Sequence, residues 1–153
     1  MSLRVVVDDR FGPEVVALLA DHLAAMRDHS PACSVHALDL DGLRDPAVTF
    51  WTAWLGDDLA GCGALKELDP GHGEVKSMRT APAFLRQGVA AAVLGQILAT
   101  ARERGYERVS LETGSGPAFD PAHALYIRRG FIPCGPFGDY VLDPFSRFYS
   151  LEL

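Results

Sequence analysis

Cysteine is scarce in this chain: Cys33, Cys62 and Cys134 are the only three in 153 residues, and they lie far apart. An odd, scattered set excludes a fully paired disulfide framework and matches no zinc-ligand spacing. The three are expected as small buried residues in a reducing compartment. Basic residues are in the minority, 14 Lys and Arg against 20 Asp and Glu, for a formal charge of −6. That balance argues against a phosphate-tracking nucleic-acid partner, whereas an acidic surface suits a cationic substrate such as an amine. No apolar run approaches a membrane span, and Val5-Val6-Val7 followed by Asp8-Asp9 is too short for a signal peptide. A cytoplasmic location without a membrane partner is therefore expected. Repeats, low-complexity linkers and metal-binding clusters are missing too. No Gly-Lys-Ser/Thr occurs at Gly88, which disfavours a nucleoside-triphosphate loop.

What is present is ordinary globular composition, 48% apolar and 22% charged, and a length that suits one domain over residues 1–153. Leu3 to Asp8 reads as a β-branched strand. After Gly12-Pro13, Val15, Val16, Leu18, Leu19, Leu23 and Met26 recur with helical period as far as His29-Ser30-Pro31. Asp39 to Pro46 reads as loop with one helical turn. Val48–Leu55, Leu59–Leu68 and Glu74–Thr80, separated by Gly- and Asp-rich turns, predict an antiparallel meander. The pattern then changes. Leu85 to Arg104 has a helical apolar face closed by Gly105, and Arg108 to Thr113 is a strand. Asp120-Pro121 opens a helix that stops at Gly130, and Phe131–Cys134 and Phe145–Leu153 end the chain as strands. The sum is a mixed sheet covered by helices.

Two stretches carry chemistry. In Met78-Arg79-Thr80-Ala81-Pro82-Ala83-Phe84-Leu85-Arg86-Gln87-Gly88-Val89-Ala90 a strand ends, a proline loop follows, and a glycine stands in the first turn of a long helix. The first N–H groups of a helix lack internal partners and carry partial positive charge, so they make a site for a pyrophosphate. Gly88 and Ala90 keep the backbone open to close approach. A glycine near a helix start is also common for purely structural reasons. The second stretch, Ala124-Leu125-Tyr126-Ile127-Arg128-Arg129-Gly130-Phe131, places a tyrosine on a short helix before a Gly-Phe that restarts a strand.

Together these stretches resemble the two signature motifs of the GNAT N-acetyltransferase superfamily, strongly over residues 74 to 134. The ending Pro133-Cys134-Gly135-Pro136-Phe137-Gly138-Asp139-Tyr140 is similar to a bacterial subgroup of small-molecule acetyltransferases. One departure stands out: the Arg/Gln that opens the family's first motif falls on Leu85, with Arg86 and Gln87 next to it. Phosphate binding in the family rests on backbone N–H groups, so Leu85 weakens the site rather than abolishing it, and Arg86 is the candidate to supply the charge.

The resemblance implies an α/β (mixed α+β) fold: a central, mostly antiparallel sheet with a V-shaped opening between the fourth and fifth strands and helices on both faces. It implies acetyl-CoA as cosubstrate and no metal. The backbone of Met78, Arg79 and Thr80 would pair with the pantetheine arm, with the Met78 N–H facing the thioester carbonyl. The amides of Gln87, Gly88, Val89, Ala90, Ala91 and Ala92 would take the pyrophosphate. Tyr126 would lie near the sulfur as general acid. Glu74, fourteen residues before Gly88, matches the register used for the base in some members. Its competitors are Glu112, His123 and Asp139, and the bland reading is an exposed strand-end carboxylate. Glu112, Asp139 and Tyr140 are the candidate acceptor-binding residues. His72, in a Gly-rich turn, reads as solvated, and Arg128 and Arg129 as helix-end charges.

The function expected is direct transfer of acetyl to a primary amine of a small molecule. Acetylation of a protein or peptide amine, or a non-catalytic acyl-CoA-binding module, are the alternatives. A homodimer is compatible with the sequence.

Overall fold

The computed structural model describes residues 2–31 and 38–153; Cys33 lies outside them. Seven strands form one sheet in the order β1-β2-β3-β4-β5-β7-β6. β1 (Leu3–Val7), β2 (Val48–Leu55), β3 (Asp58–Asp69) and β4 (His72–Thr80) pair antiparallel in sequence order. β5 (Arg108–Gly114) joins β4 in parallel, and β7 (Ser146–Glu152) inserts antiparallel between β5 and the edge strand β6 (Ile132–Cys134). The sheet is thus mixed and mostly antiparallel.

Helices cover both faces. On one, α3 (Val89–Glu103) packs Val93, Leu94, Ile97 and Leu98 against Trp51, Leu65, Val75, Val109 and Leu111. α4 (Asp120–Arg128) brings Tyr126 to the same core. On the other, α1 (Pro13–His29) lays Val15, Leu18 and Leu19 over Phe50, Cys62 and Ala64, with Leu43 from the short α2 (Leu40–Leu43). α2 is the helical turn expected after Asp39, whose side chain caps it by accepting the Gly42 N–H at 2.8 Å. Among the described residues no helix is long and apolar enough to cross a membrane.

The feature that shapes the site is where β4 and β5 part. Their parallel register runs from His72↔Arg108 to Val75↔Leu111 and stops, although β4 continues to Thr80 and β5 to Gly114. Each strand keeps its outer partner past that point: β4 holds β3 to Thr80↔Gly61, and β5 holds β7 to Gly114↔Ser146. A bulge bends β4 there. Lys76 faces Ala64 and Arg79 faces Cys62, so Ser77 and Met78 together stand opposite Gly63, with Ser77 at φ +56°. Bulges of this kind kink the bulged strand and re-aim its side chains.

Three expectations need correction. The third helix begins at Val89, four residues later than Leu85, because Pro82–Phe84 forms a 3-10 turn and Arg86 and Gly88 take left-handed φ values of +63° and +81°. A left-handed residue cannot continue a right-handed helix. Cys134 is exposed on the edge strand β6, not buried, whereas Cys62 is in the core. His72 is buried, since it opens β4 and places Nε2 2.7 Å from Ser110 Oγ, with Phe137 against its ring.

Candidate active site

The parting of β4 and β5 opens a cleft lined by Val75 to Met78 on one strand and Glu112 to Gly114 on the other. α1 borders it through His22, Met26 and Ser30, and α4 through Ala122 and Tyr126. Helices from opposite faces therefore reach one space through the gap in the sheet. Of the residues singled out in the sequence, Met78, Glu112 and Tyr126 meet here.

Tyr126 is held from both ends. Pro121 starts α4, and Gly130, at φ +95°, lets the Phe131 N–H reach back to the Tyr126 carbonyl at 3.0 Å. That reverse turn closes the helix and folds Phe131 under it. The Tyr126 ring rests on Phe131 and Tyr149, with centroids 5.8 and 6.5 Å away. Its hydroxyl makes no hydrogen bond to a described residue, and burial raises its pKa well above the usual phenol value. The phenol is therefore a proton donor at neutral pH.

Glu74 sits at the closed end of the V, in the register still paired with Ser110. It is 3% exposed; Lys76 Nζ lies 3.1 Å from its Oε2, and the Tyr140 hydroxyl donates to the same oxygen at 2.5 Å. Lys76 also donates to the Tyr140 oxygen at 2.9 Å. Burial, and then the Glu74 charge and hydrogen bond, push the Tyr140 phenol far up, so it stays protonated. Phe137 and Phe148 pack around Tyr140 and fix the loop after β6 across this end of the sheet. Asp139 is exposed on that loop. His123 is buried, with Nε2 2.9 Å from the Gly114 carbonyl, a contact that ties α4 to the end of β5.

Beyond the end of β4, the α3 N-terminus supplies unpaired donors. The Ala92 N–H already bonds the Gly88 carbonyl at 3.0 Å, so the donors without an intrahelical acceptor are those of Gly88, Val89, Ala90 and Ala91. A Cβ on Gly88 would meet nothing within 4 Å, which leaves the approach to these groups open. Leu85 is 58% exposed; Arg86 and Gln87 are exposed beside it, and Gln87 Nε2 donates to the Ala83 carbonyl at 3.4 Å. Arg79 and Thr80 are half-buried on the last turn of β4 before this loop.

Residues 15–131 match the family described as "Acetyltransferase (GNAT) family". The chain belongs to the GNAT acetyltransferases. It is 54% identical over 99% of its length and 100% of the relative's to the uncharacterised N-acetyltransferase YsnE of Bacillus subtilis (strain 168). It is 37% identical, over 91% of this chain and 90% of the other, to a protein of Azospirillum brasilense named IAA acetyltransferase. Among solved structures it resembles a candidate acyl-CoA N-acyltransferase from Klebsiella pneumoniae (TM-score 0.82, 28% identity, 99% and 97% of the two chains). A Bacillus subtilis acetyltransferase crystallised with CoA shares the fold (TM-score 0.72, 17% identity, 99% of each chain). As a GNAT protein the chain is an acyltransferase, built as one sheet with helices on both faces.

This GNAT site contains residues that the sequence reasoning passed over. His22 and Ser77 line the cleft, 6% and 7% exposed, and neither His22 Nδ1 nor Ser77 Oγ has a hydrogen-bond partner among the described residues. His22 was visible as a polar residue in the apolar stripe of α1, one turn from Leu18, Leu19 and Met26. Nothing in the sequence marked Ser77, because the bulge on which it sits depends on the pairing of β3 with β4.

Proposed function

We propose that this GNAT protein transfers the acetyl group of acetyl-CoA to a primary amine of a small molecule, by direct attack within a ternary complex. The observation that supports this most is the convergence of Met78, Glu112 and Tyr126 at the opening between β4 and β5. The residues present fit the CoA group. Four unpaired amides at the head of α3 face open space at Gly88, as a pyrophosphate requires, and Arg86 stands next to them. The edge of β4 freed beyond Val75 offers Met78, Arg79 and Thr80 to an extended pantetheine arm. When bound, acetyl-CoA supplies an activated thioester and a thiolate leaving group.

The chain's own groups divide the work. The Met78 N–H, released from the regular ladder by the bulge, is assigned to the thioester carbonyl oxygen; a preorganised donor there contributes about 3 kcal/mol to the rate. Tyr126, kept protonated by burial, donates its proton to the departing sulfur. An attacking amine must first lose a proton. Glu112, on the cleft wall, is assigned as the acceptor of that proton, directly or through a water. Glu74, the sequence candidate, holds Lys76 and Tyr140 and keeps the loop closed over the apex. Tyr140 and Asp139 then border the acceptor side. Neither Cys62 nor Cys134 lines the cleft, and burial pushes the Cys62 thiol up to about 12, so neither of these two described cysteines is placed to carry the acetyl group.

Initial velocities measured while both acetyl-CoA and an accepted amine are varied test the reading. Intersecting double-reciprocal lines are expected. Parallel lines, with acetylated protein in the mass spectrum, would replace direct transfer by a covalent carrier.

A further inference from the structure

Four buried side-chain polar atoms among the described residues have no hydrogen-bond partner: His22 Nδ1, Ser77 Oγ, Arg79 Nε and Ser146 Oγ. Three of the four belong to one place, the wall where α1 crosses the bulged part of β4. Ser77 and His22 face the cleft. Arg79 is on the same face of β4 as Cys62, its ladder partner in the α1 core, and close enough to His22 to act on its charge. Buried polar groups are normally satisfied, and leaving each unpaired costs about 1–3 kcal/mol. A cluster of three beside an open cleft therefore points to a ligand that completes it.

The charges there identify the ligand's chemistry. Lys76, the other cation on this wall, is neutralised by Glu74 at 3.1 Å. Arg79 has no ion-pair partner among the described residues. The Ser77 hydroxyl, the Arg79 Nε–H and His22 Nδ1 in its N–H tautomer are all donors, and Glu74, the carboxylate on the same strand, is held by Lys76 and Tyr140. Three neighbouring donors with one positive charge that has no ion-pair partner among the described residues suit a carboxylate, which has two oxygens to receive them.

We infer that the acceptor is an amine that also carries a carboxylate, of the amino-acid kind, with His22, Ser77 and Arg79 binding the carboxylate while the amine is presented to the thioester beside Glu112. This rests on the acetyl-transfer reading above and narrows its substrate class. It also gives the two sides of the acceptor space opposite preferences: the bulge in β4 takes the anion, and β5, through Glu112, takes the amine. A simple monoamine satisfies only the second.

The test uses matched pairs of acceptors, amino acids and their carboxamides, including ω-amino acids of increasing chain length, with product formation read by mass spectrometry. The acids are expected to exceed their carboxamides in kcat/KM by about 10- to 100-fold, mainly through KM, and the series locates the spacing between the two groups. In Arg79→Gln, and separately in Ser77→Gly, which removes the hydroxyl while suiting the left-handed backbone, the acid-to-amide ratio should collapse toward one. CoA affinity, read by calorimetry in each variant, serves as the control. Equal rates on acids and amides in the natural protein overturn the inference. So does a variant that loses CoA affinity with its acid-to-amide ratio intact, which would assign Arg79 to the cofactor. CoA binding without turnover of any acid overturns the carboxylate assignment and leaves the acetyl-CoA site standing. Failure to bind CoA at all overturns both.

Discussion

A phenol without a polar partner has little to do for stability, and Tyr126 has none among the described residues. Its ring packs against Phe131 and Tyr149, and the residue lines the cleft. Tyr126→Phe keeps the ring and removes the proton. The melting temperature should stay within a degree or two, whereas kcat should fall by about 100-fold, the ordinary worth of a general acid. Stopped thiol-release assays alongside a melting curve check both halves. His22 makes the opposite kind of prediction, about stability. Burial first, and Arg79 second, hold its pKa down to about 4 from 6.5. Between those values the unfolded chain binds more protons than the folded one, so stability is complete above pH 6.5 and is lost as pH falls toward 4. The loss attributable to this residue approaches roughly 3 kcal/mol. His22→Gln should flatten the fall in melting temperature over that window; an unchanged profile would place the acid sensitivity elsewhere.

Between elements, a close fit occurs where β3, β4 and α3 meet. A Cβ on Gly61 would come within 2.7 Å of Val89 Cγ1 and 2.8 Å of the Arg79 carbonyl. A backbone carbonyl cannot step aside as a flexible side chain can. Gly61→Ala should therefore cost about 1–3 kcal/mol and loosen CoA binding, because it displaces the head of α3. Denaturant midpoints and calorimetry measure the two effects. The Glu74–Lys76 pair joins β4 to the Tyr140 loop with both side chains almost wholly buried. Glu74→Gln alone should cost about 3 kcal/mol by leaving the Lys76 charge unpaired. Glu74→Gln with Lys76→Met should recover most of that stability, and turnover with it, since the proposed function assigns the base role to Glu112. Restored stability with turnover still lost would return the base to Glu74.

The elements themselves were legible where hydrophobic period and turn chemistry agree: Val48–Leu55 is a strand over the same residues in the structure, and α1 ends at His29 as its apolar stripe does. The head of α3 was misjudged because Leu85 to Gly88 continues a helical pattern while Arg86 and Gly88 adopt positive φ. Those backbone angles leave no trace in periodicity. Cys134 was placed in the core because nothing local said that β7 would insert between β5 and β6, leaving β6 at the edge. At the site, motifs pointed to Tyr126 and Met78, which line the cleft, and to the α3 head, since these are tied to a local sequence pattern. His22, Ser77 and the Glu74–Lys76–Tyr140 cluster depend on contacts between residues tens of positions apart, such as the 66 that separate Glu74 from Tyr140. Such groupings follow only from the assembled fold.

At the scale of the whole molecule, a sheet that separates in its middle serves two purposes. Its outer halves remain bonded, β4 to β3 and β5 to β7, so the opening does not unmake the fold. The gap brings strand edge and side chains of both faces to a single space, bordered by α1 on one side and α4 on the other. The central claim is that this cleft joins acetyl-CoA to an amine. The most direct measurement is the release of free CoA thiol from acetyl-CoA by the purified protein, with and without a panel of amines that includes amino acids. The account predicts release that depends on the amine, is matched mole for mole by acetylated product, and falls in Tyr126→Phe. Thiol release at the same rate with no amine present, or none with any amine while CoA binds, would contradict it.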